Sequence, residues 1–215
     1  MKESYQDEVA KILLDIDAIK FSFSNPFILT SGKKSPIYVD CRKLISYTKE
    51  RNLILNFAEE YFKKNKIFFD ILAGGETAGI PYASFLAERL KKPMIYIRKQ
   101  PKGFGKNNQI EGDFKINQTA ILIEDLATDG GSKIIFLDAL RKAQINVFEI
   151  FVIFYYDIFD LSQTALGNMD ITLHYLCTWK NIINILQKEK ILKLEDIENL
   201  KFFLNEPENW RKRNE

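Results

Sequence analysis

The chain has 215 residues, 46% hydrophobic and 28% charged, a globular composition well away from that of a disordered chain and too short for two full-size domains. Its formal net charge is +2, from 31 Lys and Arg against 29 Asp and Glu. That balance gives no basic stripe of the kind nucleic acid demands, so a cationic cluster here must be local and face a local anion.

The start, Met-Lys-Glu-Ser-Tyr-Gln-Asp-Glu, is too charged for a secretory signal. Val9, Ile12, Leu13 and Ile16 recur at helical spacing and predict a first helix over 6–20. A polar loop, Ser31-Gly-Lys-Lys-Ser-Pro36, leads into a short strand at Ile37–Val39, and a helix is expected over 48–64. From there the pattern alternates: strand 68–73, helix 78–90, strand 94–97, strand 119–123, helix 133–143 and a long β-rich strand 147–155. Strands that alternate with helices and read as continuous apolar runs indicate an α/β fold with a mostly parallel central sheet flanked by helices. In such sheets ligands bind outside the carboxyl ends of the strands.

The only histidine, His174, alternates with apolar residues in Ile171-Thr-Leu-His-Tyr-Leu, as a strand histidine with a structural partner would. Histidine-based chemistry is therefore a poor starting assumption. Cys41 and Cys177 have neither metal-type nor redox-type spacing and suit a reducing compartment. Apolar runs such as 150–156 are strand-sized, not membrane-spanning. These features predict a cytoplasmic protein with no membrane and no nucleic-acid partner. Beyond residue 160, Ile191, Leu192, Leu194, Ile197, Leu200, Phe203 and Leu204 lie at helical spacing, broken by Pro207, which fits one or two packing helices.

The most informative stretch is Ala120-Ile-Leu-Ile-Glu124-Asp125-Leu126-Ala127-Thr128-Asp129-Gly130-Gly131-Ser132-Lys133. A buried strand is expected to stop at the two carboxylates, followed by a loop with hydroxyls and glycines and then a helix. Glycines admit a ligand close to the backbone, and N–H groups at a helix N-terminus receive phosphate. The acids would repel that phosphate. They suit the hydroxyls of a sugar or a cation developing on its ring. Either pair alone would more often be an ordinary polar turn; the whole order carries the signal. It is not a Walker loop, since Gly-x4-Gly-Lys-Ser/Thr is absent, nor a dinucleotide fingerprint, since Gly103-Phe-Gly105 is followed by Asn108.

A second segment, Arg98-Lys99-Gln-Pro-Lys102-Gly-Phe104-Gly-Lys106-Asn-Asn-Gln-Ile110-Glu111-Gly112, follows a strand and has no apolar period. Solvated basic loops are common. A basic loop rich in glycine can also close as a mobile flap over a pyrophosphate and exclude water.

The stretch 120–133 closely resembles the motif that binds phosphoribosyl pyrophosphate (PRPP) in the type I phosphoribosyltransferases. The Arg-Lys-x-x-Lys start and Ile-Glu-Gly end of the flap resemble the catalytic loop of orotate phosphoribosyltransferases. Ser31-Gly-Lys-Lys-Ser-Pro-Ile-Tyr-Val-Asp40 resembles their N-terminal hood over orotate, and Ala73-Gly-Gly-Glu-Thr-Ala-Gly-Ile-Pro81 their pyrophosphate-side loop. The resemblance implies a single domain over 1–215, with the hood at about 1–45, the core at about 46–160 and a packing segment at about 161–215. It implies Mg²⁺ carried in with pyrophosphate and held mainly by substrate oxygens, with no protein metal ligands, and a homodimer with shared active sites. Lys102 and Asp125 take the catalytic roles. PRPP falls to Arg98, Lys99, Lys102, Glu124, Asp125 and the run Leu126, Ala127, Thr128, Asp129, Gly130, Gly131 and Ser132. Orotate falls to Thr128, Tyr38 and Val39. Arg98 and Lys102 would reach across from a neighbouring subunit.

Three positions depart from the pattern of many members. Phe104 stands where many have histidine and Ala78 where many have lysine. Around Tyr155-Tyr156-Asp157 an arginine often follows the long strand, and none is present. The alternatives are a transferase for another nucleobase or a non-catalytic PRPP-sensing regulator. The hood and flap speak against the first, and the lack of a basic face or added helix-turn-helix against the second. A fused decarboxylase barrel of ~250 residues does not fit in the remaining chain.

Overall fold

Apolar runs long enough to be covered on both faces require helices on both sides, and the chain supplies them in alternation. The computed structural model describes residues 4–29, 32–101, 109–128, 130–158, 162, 164 and 166–214. In chain order the elements are α1 (Tyr5–Asp15), β1 (Ile19–Phe21), β2 (Phe27–Ile28), β3 (Lys34–Ser35), β4 (Ile37–Val39), a 3-10 segment (Cys41–Ser46), α2 (Thr48–Lys64) and β5 (Ile71–Gly75). They continue with α3 (Gly79–Leu90), β6 (Met94–Ile97), β7 (Ile110–Glu111), β8 (Thr119–Ala127), α4 (Gly131–Lys142), β9 (Asn146–Tyr155), β10 (Thr172–Thr178), α5 (Trp179–Lys188), α6 (Leu194–Asn205) and α7 (Pro207–Arg213). The chain divides into two compact units, Thr48–Leu176 and Met1–Tyr47 with Cys177–Glu215.

The larger unit is organised by a six-stranded sheet of order β10-β9-β8-β5-β6-β7. The pairs β5–β6, β5–β8 and β8–β9 are parallel, and β7 adds an antiparallel edge to β6. Ile71, Ala73, Ala120 and Leu122 join Phe136, Leu137 and Leu140 of α4 in one buried cluster. In α2 the Phe62 ring meets Phe151 edge-on at 4.8 Å and Phe69 at 5.5 Å. His174 has the structural partners expected of it: Nδ1 lies 3.0 Å from the Tyr61 hydroxyl, and Nε2 bonds the Glu149 carboxylate.

Several boundaries differ from the sequence reading. Phe68 is exposed and precedes β5, which starts at Ile71. More consequentially, β8 does not stop before the acid pair. Pairing with β9 continues through Glu124↔Val152, Leu126↔Phe154 and Ala127↔Tyr155. A hydropathy pattern ends at the first charge, but a backbone ladder ends only where its partner strand does. Helix α4 likewise begins at Gly131, two residues earlier than predicted.

In the smaller unit, α1 buries Val9, Ala10, Ile12 and Leu13, and the Ser4 hydroxyl caps it by accepting from the Asp7 N–H at 3.2 Å. The helix ends at Asp15, short of the predicted 20, because Asp17 turns the chain left-handed with φ +53° and β1 follows. Strand β1 pairs antiparallel with β4 (Ile19↔Val39, Phe21↔Ile37), and β2 with β3 (Phe27↔Ser35). The C-terminal part forms three helices, not one or two. The extra one, α5, buries Trp179, Ile182, Ile185 and Leu186, while Ile191 and Leu194 are exposed and serve no core.

Candidate active site

Parallel neighbours end at the same edge of a sheet, so the register of β6, β5 and β8 brings three loops together. These are Arg98-Lys99 after β6, Glu76-Thr77-Ala78 after β5, and Thr128 onward after β8. The first two are joined by two hydrogen bonds: the Glu76 N–H donates to the Ile97 carbonyl at 2.9 Å, and the Lys99 N–H donates to the Glu76 side chain at Oε2, 2.8 Å away. The peptide between Glu76 and Thr77 is cis.

Glycines set how closely these loops approach the acid pair. A Cβ on Gly75 would lie 2.4 Å from Glu124 Oε1, and one on Gly79 would lie 2.1 Å from the Ile123 carbonyl and 2.7 Å from Glu124 Oε1. The Gly-Gly-x-x-x-Gly spacing is thus a packing requirement for seating a carboxylate beside β5 and the start of α3. At the turn into α4, Gly130 has φ +80°, and a Cβ there would strike the Leu166 side chain at 2.5 Å. Both conditions select glycine.

Glu124 and Asp125 are adjacent in a strand, so their side chains leave opposite faces of the sheet. Both are buried. Asp125 Oδ1 accepts from the Leu126 N–H at 2.8 Å. Glu124 Oε2 accepts from Lys133 Nζ at 3.0 Å, and Oε1 is buried with no hydrogen-bond partner among the described residues. Burial pushes the Glu124 carboxyl above the ordinary range. The Lys133 ammonium opposes that shift, Asp125 adds to it, and Lys99 opposes it further. Gly130 is the N-cap of α4, and no side chain among the described residues makes a capping bond there. The first turn of a helix points N–H groups outward without intrahelical acceptors, an arrangement that receives an anion.

The basic segment rises from a stem that the sequence reading missed. Tyr96 and Ile97 of β6 pair with Glu111 and Ile110 of β7. The Arg98 N–H donates to the Gln109 carbonyl at 2.8 Å, and Arg98 Nη1 lies 3.8 Å from Glu111 Oε1. Lys102, Phe104 and Lys106 lie outside the described residues, as do Asp129 and Ser31. Of the expected site residues, Arg98, Lys99, Glu124, Asp125, Leu126, Ala127, Thr128, Gly130, Gly131 and Ser132 all belong to the larger unit, on the segment after β6, the end of β8 and the turn into α4. Tyr38 and Val39 are in β4 of the smaller unit, where the Tyr38 ring packs on Phe27 at 5.8 Å and its hydroxyl accepts from Arg42 Nη2 at 3.3 Å. Three residues of the site went unassigned in the sequence: Glu76, Gly79 and Lys133. A buried lysine two positions after a Gly-Gly turn has no periodicity to reveal it.

The sheet order, the buried acid pair at the end of β8 and the helix that opens behind Thr-x-Gly-Gly-Ser define the class, a type I phosphoribosyltransferase. No family model matches the chain. An orotate phosphoribosyltransferase of Rhizobium rhizogenes (strain K84) is 46% identical over 208 residues, covering 96% of this chain and 90% of the relative. Another, from Ruegeria sp. (strain TM1040), is 44% identical over 95% of this chain and 92% of its own length. The crystal structure of orotate phosphoribosyltransferase from Aeropyrum pernix superposes with a TM-score of 0.72 at 28% identity, covering 86% of this chain and 99% of that one. The chain belongs to the orotate phosphoribosyltransferase family.

Proposed function

We propose that this protein transfers the 5-phosphoribosyl group of PRPP to orotate, giving orotidine 5′-monophosphate and pyrophosphate in the synthesis of UMP. The observation that carries the reading is the acid pair of β8 running through Thr128 into the N-terminus of α4 at Gly130-Gly131, in a chain of this family. Glu124 and Asp125 are assigned the ribose hydroxyls, and Asp125 also offsets positive charge developing at the anomeric carbon. The loop Thr128 to Ser132, with Leu126 and Ala127 leading into it, cradles the 5′-phosphate; Thr128 also borders orotate. Tyr38 and Val39 are assigned the pyrimidine ring. Arg98, Lys99 and Lys102 neutralise the departing pyrophosphate, Arg98 and Lys102 from the second subunit of a two-fold dimer.

Orotate binds as an anion, and its ring nitrogen adds to an oxocarbenium-like centre with little need of a general base. Positioning and fixed charge then supply most of the rate. The residues present suit a Mg²⁺ that arrives on the substrate. Such an ion is ligated mostly by phosphate oxygens and water. When bound, the ion would supply charge neutralisation at the pyrophosphate. Among the described residues no helix is long and apolar enough to cross a membrane; residence in a reducing compartment such as the cytoplasm is proposed on the two free, buried cysteines, Cys41 and Cys177.

The experiment is purified protein with PRPP and Mg²⁺, offered orotate, uracil, hypoxanthine or adenine in turn, with pyrophosphate release measured. Orotate is expected to be turned over far faster than the others. Equal or better turnover of another base would overturn the choice of base and leave the class intact.

A further inference from the structure

Lys133 is placed where a lysine is expensive. It is the third residue of α4, so its charge sits at the positive end of the helix macrodipole. Its side chain is only 6% exposed, and among the described residues its ammonium contacts Glu124 Oε2 at 3.0 Å and Ser132 Oγ at 3.3 Å. Buried ion pairs seldom add stability over well-packed apolar residues, so this one is weak evidence of a stabilising role. Its two contacts belong to the sugar acid and to the phosphate loop. Meanwhile Glu124 Oε1 is left unpartnered in a glycine-lined cradle, since Gly75 and Gly79 leave room for nothing larger.

We propose that Lys133 is a positioning residue for PRPP: its ammonium bridges Ser132 and Glu124, fixing the phosphate loop to the sugar acid and setting the orientation of the Glu124 carboxylate. This rests on the assignment of PRPP to the site. With Oε2 held by Lys133, the carboxylate keeps one orientation, and the ammonium favours its ionised form against the opposing effect of burial. An ionised acceptor makes a stronger bond to a hydroxyl than a neutral acid does. The charged groups that bear on Glu124 are Lys133 from α4, Asp125 from β8 itself and Lys99 beyond β6, while β5 and α3 present Gly75 and Gly79. Lys133 is the one in direct contact. Without it, burial and Asp125 would hold Glu124 protonated to higher pH.

The test compares wild type, Lys133→Met, Glu124→Gln and the double variant, measuring KM for PRPP, KM for orotate and kcat across pH, with thermal unfolding for each. Lys133→Met is expected to raise KM for PRPP about tenfold at neutral pH, the loss typical of a hydrogen bond to a charged group. KM for orotate should be unchanged, and the PRPP defect should shrink as pH rises and Glu124 ionises unaided. In the Glu124→Gln background, adding Lys133→Met should cost little further, because the acid it positions is gone. A purely structural lysine would instead weaken both substrates alike, with no recovery at high pH and the same added cost in either background; that result overturns the proposal. If Lys133→Met does not fold, the comparison of Glu124→Gln with the double variant, which buries no unpaired charge, still decides. A wild-type protein that fails to use PRPP would overturn the functional reading itself, a different outcome from a variant that behaves as wild type.

Discussion

The main-chain N–H of Lys99 donates to the Glu76 carboxylate at 2.8 Å, fastening the stem of the basic segment to the loop after β5. The bond holds a negative charge at an edge where pyrophosphate is proposed to lie, so acceptor and charge act in opposite senses. Glu76→Gln keeps an acceptor and removes the charge, and is expected to leave KM for PRPP equal or lower. Glu76→Ala removes both and is expected to lower kcat/KM roughly tenfold, the scale of a charge-assisted bond. Steady-state kinetics of the two variants separates the effects; a Gln variant as impaired as the Ala variant would show that the charge itself is needed.

Gly79 admits no side chain. The Cβ of Gly79→Ala would fall 2.1 Å from a carbonyl oxygen of β8, and backbone cannot yield as a flexible side chain can. The variant is expected to lose about 1–3 kcal/mol of stability, the range for forced overpacking, read as a lower midpoint in urea. It should also bind PRPP less well, because the same Cβ crowds Glu124 Oε1 at 2.7 Å. Unchanged stability would mean that the start of α3 can shift away from β8.

His174 joins three elements of the larger unit, accepting or donating toward Tyr61 of α2 and Glu149 of β9 from its place in β10. His174→Ala is expected to cost about 1–3 kcal/mol by leaving both partners without their bond, with kcat and both KM values unchanged. A large loss of kcat at normal stability would give the histidine a chemical role that the structure offers no route to.

How much of this was legible beforehand depends on the kind of interaction. The strand at Met94–Ile97 and the helix at 48–64 were readable to the residue, because their apolar pattern is local and bounded by polar turns. The fold class followed from alternation alone, and the phosphate loop from its order of residue types. The extension of β8 through Glu124 and Asp125 was not readable, because a strand's length is set by its neighbour β9. Glu76 and Lys133 lay in segments already singled out but were given no role of their own, for a related reason. Their roles lie in partners 23 and nine positions away along the chain, and a charge in a loop looks the same in sequence whether it faces water or a buried carboxylate. The acid pair suggested a sugar or a developing cation from its place before a phosphate loop, and the family resemblance narrowed that to the ribose of PRPP.

The raised affinity of Glu124 for its proton has a consequence for stability. Its folded-state value lies above the ordinary 4.5 because of burial, partly offset by Lys133. The folded protein therefore holds that proton more tightly than the unfolded chain. This contribution is fully present below the unfolded value and is lost as pH rises through the folded one. Removing Lys133 widens that window. Lys133→Met should fall further below wild type in unfolding free energy at pH 8 than at pH 5, measured by urea denaturation at each pH. A deficit independent of pH would mean that Glu124 titrates without regard to Lys133.

The proposed dimer predicts complementation between two dead variants. If Lys102 acts across a two-fold interface, each site combines Asp125 of one chain with Lys102 of the other. Lys102→Ala and Asp125→Asn should each be nearly inactive alone, the first for want of a cation on the leaving group and the second for want of the buried acid at the sugar. In a heterodimer one site carries both lesions and the other carries neither. An equal mixture allowed to exchange subunits yields half heterodimers, so activity should recover to roughly a quarter of wild type by that symmetry. Exchange is established separately with two differently tagged chains and co-purification. Should exchange occur without any return of activity, Lys102 acts within its own chain and the shared site is wrong. Recovery near a quarter leaves no other arrangement, because no single chain in the mixture carries both intact residues.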